Sequence, residues 1–205
     1  MRIIFYGLKR SGNHAIIYWI LRNLQGSEKL CEIVPSYIHL GTNSIFFNDV
    51  TSSEGAILIE KDKWINQKKE HIIISVEDAN EWKPSRQFAE LLGPEEFIPF
   101  YIIRNPLNCY ASRFCTFGFS DIYVFVRMYK NFIEKTKNNN VIYYDKWNSD
   151  KNYRDEVSKM FGVSNIDIHN IKTLEGGGSV FSDDNYNERY KDIPENILSK
   201  LNELL

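Results

Sequence analysis

A chain of 205 residues with 43% hydrophobic and 25% charged residues has enough apolar surface to offset the entropy of ordering, which excludes a disordered chain and suits one domain over residues 1–205. A net charge of −2 excludes a general attraction to nucleic acid, so an anionic ligand has to be held by local charge. No run approaches the ~20 apolar residues of a membrane span. The three cysteines, Cys31, Cys109 and Cys115, lack CxxC spacing. They read as core thiols of a soluble, cytoplasmic protein, and no leader is expected ahead of the first strand.

RIIFYG, at residues 2 to 7, reads as a short buried strand, and AIIYWILRNL, from Ala15 to Leu24, as a helix apolar on most faces. Between them Gly7 and Gly12 stand five apart, as in the G-x-x-x-x-G-K-[ST] loop that cradles nucleotide phosphates. Asn13 and His14 occupy the Lys and Ser/Thr places. A loop between strand and helix start still offers backbone N–H groups and the positive end of a helix dipole to an anion. It lacks the lysine and the magnesium-binding hydroxyl that phosphoryl transfer requires, which argues against an ordinary kinase or NTPase. Lys9 and Arg10 supply cations within the loop instead. From Met1 to Gln25 every charged side chain is positive (Arg2, Lys9, Arg10, Arg22), whereas Asp183 to Leu205 carries six acids and three bases.

Residues 27 to 70 are weakly patterned, with short candidate segments at EIVPSYIHL and AILIE. HIIISVED, from His71 to Asp78, is a strand ending in two acids, and FIPFYIIRNP, from Phe97 to Pro106, a strand ending at Arg104. Asn105 as N-cap and Pro106 at the first helical position begin a helix through LNCYASRF. An amphipathic helix IYVFVRMYKNFIEKTK, a turn NNN, a strand VIYYDKW, a helix YRDEVSKMFG and a C-terminal helix after Pro194 complete the chain. This alternation predicts an α/β fold: a three-layer sandwich with a central mainly parallel sheet and helices on both faces. Ligands on such sheets bind beyond the carboxyl ends of the strands, where the glycine loop, Glu77, Asp78 and Arg104 gather.

Arg104 ends its strand and Ser112 follows eight residues later, two turns into the next helix, so the two could grip one anion from two directions. KRSGNHAI and RNPLNCYAS together resemble the 5′-phosphosulfate loop and the 3′-phosphate motif of the PAPS-dependent sulfotransferases, PAPS being 3′-phosphoadenosine 5′-phosphosulfate. VIYYDKW, MFG and EGGGSVFSDD resemble later segments of that family. The resemblance implies a single domain of P-loop-NTPase-like sulfotransferase architecture that uses PAPS as sulfuryl donor without a metal. It implies that Arg10 stabilises charge on the leaving phosphate oxygen, with Lys9 beside it in the loop. Ser11, Gly12, Asn13 and His14 would wrap the 5′-phosphosulfate, and Arg104 and Ser112 would bind the 3′-phosphate. Gly177, Gly178 and Phe181 would close over the nucleotide, Phe181 near the adenine.

A general base is needed to deprotonate the acceptor. Glu77 is preferred and Asp78 second, because a carboxylate at the carboxyl end of a strand points into the ligand crevice. His14 is a helix-start donor to a phosphate oxygen and a further catalytic candidate; His39 and His71 are weaker ones. Tyr18, Trp19, Phe125 and Tyr129 read as core, and Arg189 reads as a solvated helix charge with a possible phosphate role. The acceptor is a small molecule, a glycan or a lipid, and residues 27–69 are expected to help shape its pocket. Two rivals remain: a divergent P-loop kinase, and a nucleotide-binding module of the same fold without catalysis.

Overall fold

The computed structural model describes residues 1–25, 31–33, 37–79, 81–118, 121–164 and 188–205. Its seven strands are β1 (Arg2–Gly7), β2 (Cys31–Ile33), β3 (Ile38–Leu40), β4 (Ser44–Phe47), β5 (His71–Glu77), β6 (Ile98–Ile103) and β7 (Asn140–Tyr143). They form one sheet in the order β2-β3-β4-β5-β1-β6-β7. β4, β5, β1, β6 and β7 are mutually parallel, and β2 and β3 run antiparallel at one edge. β1 is central, and its apolar residues are buried on both faces, as a parallel strand covered by helices requires.

The helices are α1 (Asn13–Gln25), α2 (Val50–Ile59), α3 (Arg86–Leu92), α4 (Pro106–Phe117), α5 (Ile122–Thr136), α6 (Tyr144–Ser149), α7 (Lys151–Met160) and α8 (Glu195–Leu204). The period of two along the strands sorts the core into two layers. Ile3, Phe5, Phe100 and Ile102 pack with Ile16, Trp19, Ile20, Trp147 and Phe161 of α1, α6 and the end of α7. Ile4 and Val76 face Ile57 and Phe88 of α2 and α3, and Tyr101 and Ile103 face Phe125 and Phe132 of α5. The result is the expected three-layer α/β sandwich. Trp19 and Trp147 meet edge to face at 5.7 Å, both fully buried, and truncating either to Ala costs about 3–5 kcal/mol.

One unassigned segment is resolved and one local expectation is corrected. AILIE is the second half of α2, because Val50, Ser53 and Ile57 recur at helical spacing on the buried face, and Ser53 Oγ donates to the carbonyls of Asn48 and Asp49. VIYYDKW is a strand only to Tyr143; β6 ends at Ile103, which removes the pairing partner. The chain then turns into α6, whose Asp145 accepts from the backbone N–H of Asn105 at 2.5 Å and whose Trp147 is buried. α3, with Ser85 as N-cap accepting from Phe88 N–H, lies in a stretch the sequence left unassigned. Among the described residues no helix is long and apolar enough to cross a membrane.

Candidate active site

In register, Gly7 is level with Glu77 of β5 and Ile102 of β6, so the loop leaves β1 between the acids of one neighbour and Arg104 of the other. This is the point where strand order reverses, the usual ligand crevice of an open α/β sheet. Two glycines are needed here for close approach. A Cβ on Gly7 would meet Asn13 Oδ1 at 2.0 Å. A Cβ on Gly12 would meet the Tyr144 ring at 2.1 Å, and Gly12 also has φ +91°. Arg10 is left-handed at φ 72°, a conformation that costs a non-glycine residue about 1 kcal/mol. Its carbonyl accepts from Arg104 Nη1 at 3.0 Å, which helps hold that strained turn.

The α4 side of the loop is cationic. Arg104 is only 3% exposed; its guanidinium lies over the Tyr144 ring at 5.0 Å, and its carbonyl accepts from Tyr129 Oη at 3.0 Å. Asn105 caps α4 by accepting from the N–H groups of Leu107 and Asn108, with Pro106 at the first helical position. Two turns on, Ser112 is buried, and its Oγ accepts from Arg10 Nε at 3.2 Å and from Arg189 Nη1 at 3.2 Å. Arg189, in the 3-10 turn Arg189–Asp192, is 3% exposed, so its reading as a solvated charge is corrected. Nothing local in NERYKD marks it as buried; its seat against α4 is a tertiary contact.

The β5 side is acidic. Asp78, with φ 56°, accepts from the N–H of Lys9 at 2.8 Å and receives Arg113 in a two-point ion pair at 2.7 and 3.0 Å. Burial opposes the charge on Arg113, but the hydrogen bonds and charge of Asp78 outweigh it and raise its pKa. Arg113 also donates to the Lys9 carbonyl at 3.3 Å. Asp78 therefore braces the loop against α4, and the sequence reading missed Arg113 although it follows Ser112 directly. Lys9 Nζ lies 3.4 Å from Asp49 Oδ2. His14 is bonded sideways, its Nε2 2.7 Å from Asn48 Oδ1, an oxygen that also accepts from Ser75 Oγ.

Among the described residues no ion pair reaches Glu77. Its Oε1 accepts from Asn13 Nδ2 at 3.1 Å. Burial raises its carboxyl above the usual glutamate range; His14, the Asn13 bond and Lys9 pull it down in part, and Asp49 pushes it up. Ser11 and Asn13 are buried, Ser11 Oγ donating to Asn13 Oδ1 at 2.6 Å. Thus Lys9, Arg10, Ser11, Gly12, Asn13, His14, Glu77, Asp78, Arg104 and Ser112 all lie at or beside one crevice. Gly177, Gly178 and Phe181 lie outside the described residues. Trp19 and Phe125 are core as expected; of the thiols, Cys109 is buried and Cys115 exposed.

The chain is similar to the crystal structure of mouse sulfotransferase SULT7A1 complexed with PAP, with a TM-score of 0.54 and 13% identity over 99% of this chain and 81% of that one. The chain has a sulfotransferase fold. Neither a family model nor a curated protein matches it by sequence. On this sulfotransferase fold the strand order, the central glycine loop and the crevice between β5 and β6 are the frame that any chemistry has to use.

Proposed function

We propose that the chain is a sulfotransferase that moves the sulfuryl group of PAPS to a hydroxyl or amine of a small-molecule, glycan or lipid acceptor. One observation carries the reading: Arg10 and Arg189 converge on Ser112 Oγ, while Arg104 is bonded to the Arg10 backbone, at the carboxyl ends of the central strands. Two guanidinium groups on one hydroxyl, with a third bonded to the adjoining loop backbone, suit a compact dianion such as a 3′-phosphate, since guanidinium groups match phosphate oxygens in pairs. The PAP in the structurally similar sulfotransferase supports the same nucleotide class.

The residues present fit the donor. Backbone N–H groups of the loop and the start of α1 face an anion at the 5′ end, while Arg104, Ser112 and Arg189 take the 3′ end. The bound donor supplies an activated sulfuryl group whose bond to a phosphate oxygen can break. Glu77 takes the proton from the acceptor O–H or N–H as the new bond to sulfur forms. The electron pair of the broken bond stays on the phosphate oxygen, where the loop N–H groups stabilise it; Arg10, expected at that oxygen from the sequence, donates instead to Ser112 Oγ on the 3′ side. A raised carboxyl pKa suits Glu77 to this work, because a stronger base takes the acceptor proton more readily near neutral pH.

Calorimetric titration with adenosine 3′,5′-bisphosphate tests the reading. Saturable binding is expected, and no heat at millimolar ligand would overturn it.

A further inference from the structure

We propose that Asn13 is a positioning residue for Glu77: its side-chain amide holds the Glu77 carboxylate at the crevice instead of turning toward a phosphate. This rests on the reading of Glu77 as the base. Asn13 opens α1 at the place where an ATP loop has its lysine, and it is 4% exposed. Nδ2 faces two acceptors, Glu77 Oε1 at 3.1 Å and the Leu8 carbonyl at 3.5 Å, and Oδ1 faces one donor, Ser11 Oγ at 2.6 Å. The flipped amide would set its oxygen against the carboxylate and the carbonyl, so the partners fix the orientation. Both amide hydrogens are then directed inward, to Glu77 and Leu8. The amide also occupies the space that Gly7 leaves by having no side chain, 2.0 Å from where a Cβ would stand.

Glu77 meets other charges from each neighbouring element: Lys9 from the loop, His14 from α1, Asp49 from the turn before α2, and Arg113 from α4. Thr51 fixes its backbone, accepting from the Glu77 N–H and donating to the Glu77 carbonyl. None of these contacts fixes the carboxylate by a hydrogen bond; Asn13 does. Burial favours a protonated Glu77, and a donor to the ionised form opposes that, so Asn13 works against the effect of burial.

The test is a pH titration of the full chain labelled with 13C at glutamate carboxyls, read by NMR, with the Glu77 resonance identified by its loss in Glu77→Gln. In Asn13→Ala the Glu77 midpoint moves to higher pH, and in Asn13→Asp it moves further, because a carboxylate then faces a carboxylate. Asn13→Ala keeps affinity for adenosine 3′,5′-bisphosphate within about threefold of the unchanged chain, whereas the added negative charge of Asn13→Asp beside the loop weakens it. An unmoved midpoint in both variants overturns the proposal. So does a loss of about tenfold or more in nucleotide affinity with the midpoint fixed, which would assign the amide to the phosphate. If Asn13→Ala fails to fold, the isosteric Asn13→Asp carries the test by itself. Failure of the unchanged chain to bind the nucleotide strikes the sulfotransferase reading and leaves the titration readable.

Discussion

On the α4 side of the glycine loop, Arg10 and Arg189 are drawn onto a neutral hydroxyl, Ser112, and Arg104 onto a neutral carbonyl. On the β5 side, Asp78 is locked to Arg113, Asp49 lies near Lys9, and Glu77 rests on a neutral amide. The α4 flank joins three guanidinium groups through neutral oxygens, whereas the β5 flank joins acids to bases, which is what structural bracing looks like. On the proposed function the difference separates a binding flank from a bracing flank, with Glu77 as the proposed base.

The sharpest way to break this comparison is Arg104→Ala. It removes a buried cation from the binding flank, and the affinity for adenosine 3′,5′-bisphosphate is expected to fall by about a hundredfold or more in calorimetry. Arg189→Ala is also expected to weaken binding, which its burial against Ser112 demands and a solvated charge would not. On the bracing flank, Asp78→Asn leaves Arg113 half-buried without its carboxylate and is expected to cost about 2–4 kcal/mol in denaturant unfolding, with nucleotide affinity far less affected.

Ser112→Ala is expected to reduce nucleotide affinity by about tenfold, the worth of one hydrogen bond to a charged group. Glu77→Gln should act in the opposite direction from its neighbour Asp78. A carboxyl whose folded pKa is raised binds its proton more tightly in the native state, so its charge costs stability as pH rises through the window above the ordinary glutamate pKa. The substitution is therefore expected to raise the melting temperature by about 1–3 °C at pH 7, to lose that gain in acid, to keep the nucleotide and to abolish transfer. Gly55→Ala, on the exposed face of α2 with nothing within 4 Å of the added Cβ, lies outside both flanks. It calibrates the scale, with an expected gain of about 0.5–1 kcal/mol in unfolding and no change in binding.

Much of the frame was legible in the chain. RIIFYG, HIIISV and FIPFYII are uninterrupted apolar runs, and runs of that kind are strands buried between two helix layers whatever their neighbours. Asn105 and Pro106 announce the start of α4 by a local hydrogen bond and a fixed φ. α2 was harder, since its apolar residues bunch at AILI and only Val50 and Ser53 complete the helical face. The break after Tyr143 was illegible, because strand VIY ends where its partner strand ends, a fact about β6 and not about VIYYDKW.

The sequence by itself determined the strand and helix periods, the glycine loop with its cations, and the Arg104 to Ser112 spacing, because these depend on backbone geometry and neighbours a few residues away. Tertiary structure alone decided which charges meet. Arg113 reaches Asp78 across 35 residues, Arg189 reaches Ser112 across 77, and Asn13 reaches Glu77 across 64. Such pairings are set by the order of strands in the sheet and by burial, which fix the distances and the local dielectric that give a charge its role.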